Sequence, residues 1–232
     1  MNIKNSVVLV TGANRGLGNA FVNALMEAGA SKVYAGARDP TSIQLPGVIP
    51  VKLDVTSSED VKAVADHCTD VTLLINNAGT FAGSSFLAPG SADAARAELE
   101  THFFGPLALT QAFAPILKAN GGGAIVNILS VLSWLNISGG ATYSASKSAA
   151  WSLTNGLRNE LREQGTLVVG VHVGFMDTDM ARGAPGTKVP PQDVTHQTLV
   201  ALEAGQNEVL ADELSRKVKQ GLSAGAYLGP VG

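Results

Sequence analysis

The sequence predicts an α/β fold, a doubly wound parallel sheet in a single domain, on three observations. Short runs rich in β-branched residues alternate with helical patterns, several runs are apolar at nearly every position, and the first leads directly into a glycine-rich turn that opens a helix. Continuous apolar runs mark strands covered on both faces, as in a parallel sheet flanked by helices.

The strands are expected at SVVLVT (6 to 11), KVYAGA (32 to 37), VIPVKLDV (48 to 55), VTLLIN (71 to 76), AIVNILS (124 to 130) and TLVVGVHV (166 to 173), with NEVLA (207 to 211) as a short last strand. After the first strand, Leu17, Phe21, Ala24, Leu25 and Ala28 recur at helical spacing, and Gly29 is placed to stop that helix. Longer helices are expected over 91 to 119 and 142 to 164. The segment ARGAPGTKVPP (181 to 191) is dense in Gly and Pro, too short to separate domains, and reads as a loop, either a lid or an inert surface excursion.

The chain has 232 residues, 45% of them hydrophobic, which suffices for one continuous core. A net charge of -3 leaves no electrostatic footprint for nucleic acid or anionic lipid, so a small molecule is the expected partner. With Cys68 as the only cysteine there is no intrachain disulfide, and no Cys/His cluster has metal-ligand spacing. No signal peptide or membrane-spanning stretch is recognisable, and the expected location is cytoplasmic.

In TGANRGLG, Gly12, Gly16 and Gly18 would let a dinucleotide pyrophosphate approach the backbone at a helix N-terminus, where free N–H groups favour an anion. The spacing G-x-x-x-G-x-G differs from the commoner G-x-G-x-x-G. At the end of the second strand, where an acid would select NAD, the sequence reads AGARDP. Ala37 occupies the acid position, and Arg38 with Arg15 could clamp a 2′-phosphate, which favours NADP(H). Should the strand run two residues further, Asp39 becomes the ribose acid and NAD wins.

Tyr143 and Lys147 lie four apart, on one face of a helix, where an ammonium beside a phenol favours phenolate. Taken alone this pair is as readily a solvated helix face. TGANRGLG, NNAG (76 to 79), Ser130, Tyr143-x-x-x-Lys147 and VGFMDTDM (173 to 180) nevertheless follow one another in an order that strongly resembles the short-chain dehydrogenase/reductases over nearly the whole chain. Bacterial NADPH-dependent ketone and carbonyl reductases are among them.

The resemblance implies a Rossmann-type sheet of seven strands, a nicotinamide cofactor and hydride transfer at a carbonyl. It implies that Ser130 binds the carbonyl oxygen, Tyr143 protonates it, and Lys147 holds the nicotinamide ribose and lowers the tyrosine pKa. Ser133 competes with Ser130, and the spacing of thirteen residues to Tyr143 favours Ser130. Cofactor contacts carry over to Gly12, Asn14, Arg15, Leu17 and Gly18, to Asp54 and Val55, to Asn77, Ala78 and Gly79, and to Met176 and Thr178. Val173-Gly174 stands where the family commonly has Pro-Gly, so Gly174 is kept beside the cofactor. A homodimer or homotetramer pairing through 91 to 119 and 142 to 164 is implied as well.

His102, in LETHFFGP, occupies the position where the family carries an asparagine whose backbone carbonyl helps hold a relay water. Three readings are open: a relay with altered pH dependence, weakened catalysis, or a buried histidine satisfied by a neighbour. The other histidines, His67, His172 and His196, read as structural. Phe81, Leu132, Trp134, Leu135, Phe175 and Met180 flank the motifs and suggest an apolar cleft, with the substrate loop at about 178 to 191. The leading expectation is reduction of small hydrophobic ketones or aldehydes, aryl-substituted ones included, with NADPH. A 3-oxoacyl thioester reductase and a dinucleotide sensor with impaired catalysis are the alternatives.

Overall fold

The computed structural model describes residues 1 to 183 and 187 to 228. Seven parallel strands form one sheet: β1 (Val7–Thr11), β2 (Lys32–Ala37), β3 (Ile49–Lys52), β4 (Leu73–Asn76), β5 (Ala124–Ile128), β6 (Leu167–His172) and β7 (Glu208–Leu210), in the order β3-β2-β1-β4-β5-β6-β7. Chain order reverses between β1 and β4, and the open crevice of such a sheet lies beyond the strand C-termini at that point. β1, β2, β4, β5 and β6 are buried almost throughout, as their unbroken apolar runs require.

Helices α1 (Gly16–Glu27), α2 (Ser58–His67), α3 (Ser91–Leu99), α4 (Gly105–Ala119), α5 (Ala141–Glu160), α6 (Pro191–Glu203) and α7 (Glu213–Gly221) return the chain between and beyond the strands. The core divides into two faces. One cluster gathers Phe21, Leu25, Val10, Ile75 and Leu202, and the other Leu9, Leu74, Leu109, Phe113 and Ile125. Neighbouring residues of β1 and β4 thus point to opposite sides, the period of a strand.

Gly29 stops α1 as expected. Its φ of +82° lets Gly29 N donate to Met26 O and Ala30 N to Leu25 O, a pairing that satisfies the last carbonyls of the helix. The helix expected over 142 to 164 ends at Glu160 because Gly165, at φ +77°, turns the chain towards β6. The helix expected over 91 to 119 is interrupted by a π-helical turn, Glu100–Phe104, in which Gly105 N reaches back to Glu100 O. Pro106 follows, and it has no N–H to give the His102 carbonyl four residues earlier. That missing bond accounts for an irregularity at this point. Gly105 is needed there as well, since a Cβ would stand 3.0 Å from Val55.

Candidate active site

The glycine turn is built as a cradle. Gly12 and Gly16 have φ of +63° and +54°, and a Cβ on Gly18 would lie 2.1 Å from Gly12 O. Arg15 caps α1 with no side-chain bond to the first N–H groups, which therefore remain free for an anion. Asn77 braces the turn from below. Its amide donates to Thr11 O at 2.8 Å and Gly12 O at 3.2 Å, while Asn77 N and Ala78 N both donate to Thr11 Oγ1 at 2.9 Å. The Asn77 amide nitrogen and backbone N–H are thus both engaged within the protein. Thr178 rests against the turn, its methyl 3.4 Å from where a Cβ of Gly16 would be.

β2 ends at Ala37, as the sequence suggested, and Asp39 lies beyond it in another role. The Asp39 carboxylate accepts from Thr41 N at 3.0 Å and Thr41 Oγ1 at 2.6 Å, capping a short 3-10 turn. Arg38 is exposed, and Arg15, also exposed, stands 3.9 Å from Asp179. Asp54 folds back onto Thr56, and Val55 is buried beside α4. Gly174 N donates to Asp212 Oδ2 at 2.5 Å, and Asp212 Oδ1 accepts from Ser215 N to cap α7. Asp212 ties the Val-Gly loop to α7, a role with no signal in the sequence because the partners are 38 residues apart. Phe175, Asp177 and Val189 exchange backbone bonds that close the base of the expected substrate loop, of which residues 184 to 186 lie outside the described residues.

The catalytic candidates meet where β5 passes into α5. Ser130 opens a 3-10 turn, its Oγ accepting from Leu132 N at 3.1 Å and its own N–H donating to Ser133 Oγ at 3.3 Å. The Ser130 hydroxyl proton stays free, and it lies in hydrogen-bonding reach of the Tyr143 phenol. Ser133 is spent on holding this turn. Lys147 is buried, donates to Ile128 O at 2.9 Å, and places Nζ 5.6 Å from the centre of the Tyr143 ring.

Burial dominates both ionisations. It pushes the Tyr143 phenol well above its ordinary value, with Glu98 adding to the rise and Ser130 opposing it. It brings Lys147 down to about 8. Desolvation is the largest influence on the phenol, so burial sets its resting direction and favours the protonated form.

The edges of Phe81 and His102 grip the Tyr143 ring, at centroid distances of 5.2 and 5.3 Å. His102 is itself enclosed. Thr80 N donates to Nε2 at 3.1 Å, so the proton resides on Nδ1, which donates to Ser146 Oγ at 2.8 Å; Ser146 in turn donates to Tyr143 O. Burial, then the Lys147 charge, hold the imidazole well below its ordinary pKa. This is a neutral, doubly bonded histidine, not a group titrating in the physiological range.

A cavity of about 10 Å³, room for one water, is lined by Lys147, His102, Pro106, Ile128, Asn76 and Asn127 among others. Asn76 Oδ1, buried without a partner among the described residues, belongs to that lining. Glu98, which sequence reasoning passed over, is fully buried in α3 and accepts from Ala82 N at 2.9 Å and Gly83 N at 3.1 Å, fixing the loop that carries Phe81. Two of the six expected cleft residues prove to be core. Trp134 and Leu135 are buried with Val131 and Val218, because α7 covers them, whereas Phe81 and Met180 are exposed.

A family model described as short chain dehydrogenase matches residues 6 to 188. The chain belongs to the short-chain dehydrogenases. It is an oxidoreductase with the Rossmann-type sheet of that family. Among solved structures, this dehydrogenase is similar to a short chain dehydrogenase from Burkholderia cenocepacia J2315 in complex with NADP. The two are 42% identical with a TM-score of 0.93, and the match covers 97% of this chain and 95% of the other. A short-chain dehydrogenase from Streptomyces avermitilis is 26% identical with a TM-score of 0.84, over 97% and 94% of the two chains. Among curated relatives, the NADP-dependent 3-hydroxy acid dehydrogenase of Schizosaccharomyces pombe is 26% identical, over 92% of this chain and 93% of its own. No helix among the described residues is long and apolar enough to cross a membrane, and no group of metal-ligating side chains occurs among them.

Proposed function

We propose that this dehydrogenase reduces small, hydrophobic, aryl-bearing ketones or aldehydes to alcohols with NADPH. The observation that carries the reading is the convergence of the buried Tyr143 phenol, the Ser130 hydroxyl and Lys147 one turn along α5, with Nζ 5.6 Å from the Tyr143 ring centre. The cradle at Gly12 and Gly18, which any Cβ would fill, fits a pyrophosphate, with Asn14, Gly16 and Leu17 beside it at the start of α1. Arg15 and Arg38 supply charge for a 2′-phosphate, and Asp39 is committed to its cap, which supports NADP over NAD. The NADP complex of the Burkholderia cenocepacia relative and the NADP dependence of the fission-yeast relative support the same choice.

Asp54, Val55, Ala78, Gly79, Gly174, Met176 and Thr178 border the crevice beyond the strand ends and would complete the coenzyme site. When bound, the reduced nicotinamide supplies the hydride to the carbonyl carbon. Ser130 would bind the carbonyl oxygen through its free O–H, and Tyr143 would donate its phenolic proton to that oxygen as charge develops there. The Lys147 ammonium would stabilise the phenolate left behind, and a water in the cavity beside it would be placed to exchange a proton with the lysine. Exposed Phe81 beside the Tyr143 ring, and exposed Met180 at the start of the expected substrate loop, favour an apolar, aryl-bearing substrate over a charged one. The proposal extends to a homodimer or homotetramer in the cytoplasm, for which half-exposed Phe104 beside α4 and the free thiol of Cys68 are consistent features.

The test is to mix the protein with NADPH or NADH and a panel of acetophenone-type ketones, aldehydes and 3-oxoesters, following loss of reduced nicotinamide. Turnover with aryl ketones and NADPH is expected. Tight NADPH binding with no turnover on any carbonyl would overturn the reading in favour of a sensor, and turnover confined to 3-oxoesters would redirect it to thioester chemistry.

A further inference from the structure

His172 ends β6 inside an apolar run, yet it is completely buried and its ring meets the back of the catalytic turn. Nδ1 lies 3.2 Å from Ser130 O. A carbonyl can only accept, so the proton resides on Nδ1 and the ring is the donor. The imidazole also stacks on the Trp134 indole, 3.9 Å between centroids and 18° from parallel. Trp134 closes the turn that Ser130 opens, with Trp134 N donating to Val131 O. One side chain therefore contacts both ends of the Ser130–Trp134 turn.

The ring is set up to remain a neutral donor. Its Nε2 faces Glu208 Oε1 at 3.7 Å, but that carboxylate is already taken by Lys219, at 2.7 and 2.9 Å. Lys219 Nζ also stands 5.2 Å from the Trp134 ring centre, and Arg158 is the remaining charge felt at the site. Burial, opposed by the Ser130 carbonyl and Glu208, brings the imidazole down to about 4. The Ser130 backbone is thus held on both sides, its N–H by Ser133 Oγ and its C=O by Ser133 N at 3.0 Å and, from the opposite element, by His172.

We propose that His172 is a positioning residue for the reductase reaction: its Nδ1–H and its stack on Trp134 fix the Ser130 turn so that the Ser130 hydroxyl stays aimed at the substrate carbonyl. The inference rests on the reading of Ser130 and Tyr143 given above. It adds a role that neither the sequence motifs nor the relatives assign, for a residue remote from the reacting atoms.

His172→Leu removes the donor, while His172→Asn keeps an N–H at a similar reach. Misplacing a catalytic group by an ångström can lower a rate by about 10²-fold, and His172→Leu is expected to lose kcat on that scale with NADPH affinity unchanged. His172→Asn should recover most of the loss. In a Ser130→Ala background, His172→Leu should add little, since the group it positions is gone. Undiminished kcat in His172→Leu, equal loss in His172→Asn, or full multiplication of the two losses in the double variant would each overturn the inference. Nitrogen NMR of His172 supplies a readout independent of turnover. A ring protonated on Nδ1 throughout the neutral range is expected, and a proton on Nε2 would refute the inference even if the enzyme proved inactive on every carbonyl tried.

Discussion

His102 and His172 are both sealed from solvent and both neutral, yet they serve the catalytic corner from opposite sides and in different ways. His102 lies in the π-helical turn between α3 and α4, with each nitrogen bonded, one accepting from Thr80 N and the other donating to Ser146. His172 ends β6 with one nitrogen on the Ser130 carbonyl and the other without a hydrogen bond among the described residues. The first is bonded at both nitrogens, its pKa is lowered by burial, and it walls the Tyr143 ring. The second passes its constraint on to Ser130. A histidine near a reaction centre is informative through the atoms it touches rather than through its ability to titrate.

Substitutions at the catalytic corner can break or sharpen this contrast. The largest effect is expected from Tyr143→Phe, which removes the proton donor. General acid groups contribute roughly 10²–10⁴-fold, so reduction should fall by that factor in steady-state assays while NADPH binding, read by fluorescence titration, persists. Next in size is His172→Leu, whose loss of kcat should have no counterpart at His102.

Away from both histidines, Arg38→Ala tests the exposed end of the crevice. Losing a charge-assisted hydrogen bond costs about 1.5–3 kcal/mol, so KM for NADPH should rise roughly 10–100-fold, with NADH kinetics little altered. An equal effect on both coenzymes would remove Arg38 from 2′-phosphate recognition.

The smallest effect on rate belongs to His102→Asn. Because burial keeps His102 uncharged, the variant should retain the pH profile of the parent between about pH 6 and about pH 9, losing only about 1 kcal/mol of stability to urea. The alkaline limb belongs to Lys147. Its pKa falls to about 8 on folding, so the unfolded chain binds more protons between that value and the ordinary lysine value. Stability therefore rises with pH across that window, and below it the cost of burying the ammonium is felt in full. Activity should change the other way, kcat declining above about 8 as the charge that steadies the phenolate is lost. A His102→Asn variant with a displaced limb would contradict the assignment.

Much of this architecture was legible because local pattern and fold agree. All seven strands fall within their expected runs, and the glycine turn, the end of β2 at Ala37 and the Tyr143–Lys147 spacing are properties of contiguous sequence. The illegible features depend on meetings at long range. Glu98 in α3 supports a loop 15 and 16 residues earlier, His172 meets Ser130 across 42 residues, and α7 folds over Trp134 and Leu135 to make core of apparent cleft. Burial decided the charge states too. An ammonium four residues from a phenol reads as an acidifying neighbour, and only the packed structure shows how deeply both groups are desolvated.

The central claim is that Tyr143 remains a protonated acid until the carbonyl takes its proton. The chain has 3 tyrosines, and the ultraviolet difference between wild type and Tyr143→Phe, titrated without coenzyme, isolates this one. The account predicts no tyrosinate signal from Tyr143 until the pH passes the ordinary tyrosine value. A phenolate appearing near neutrality would contradict it.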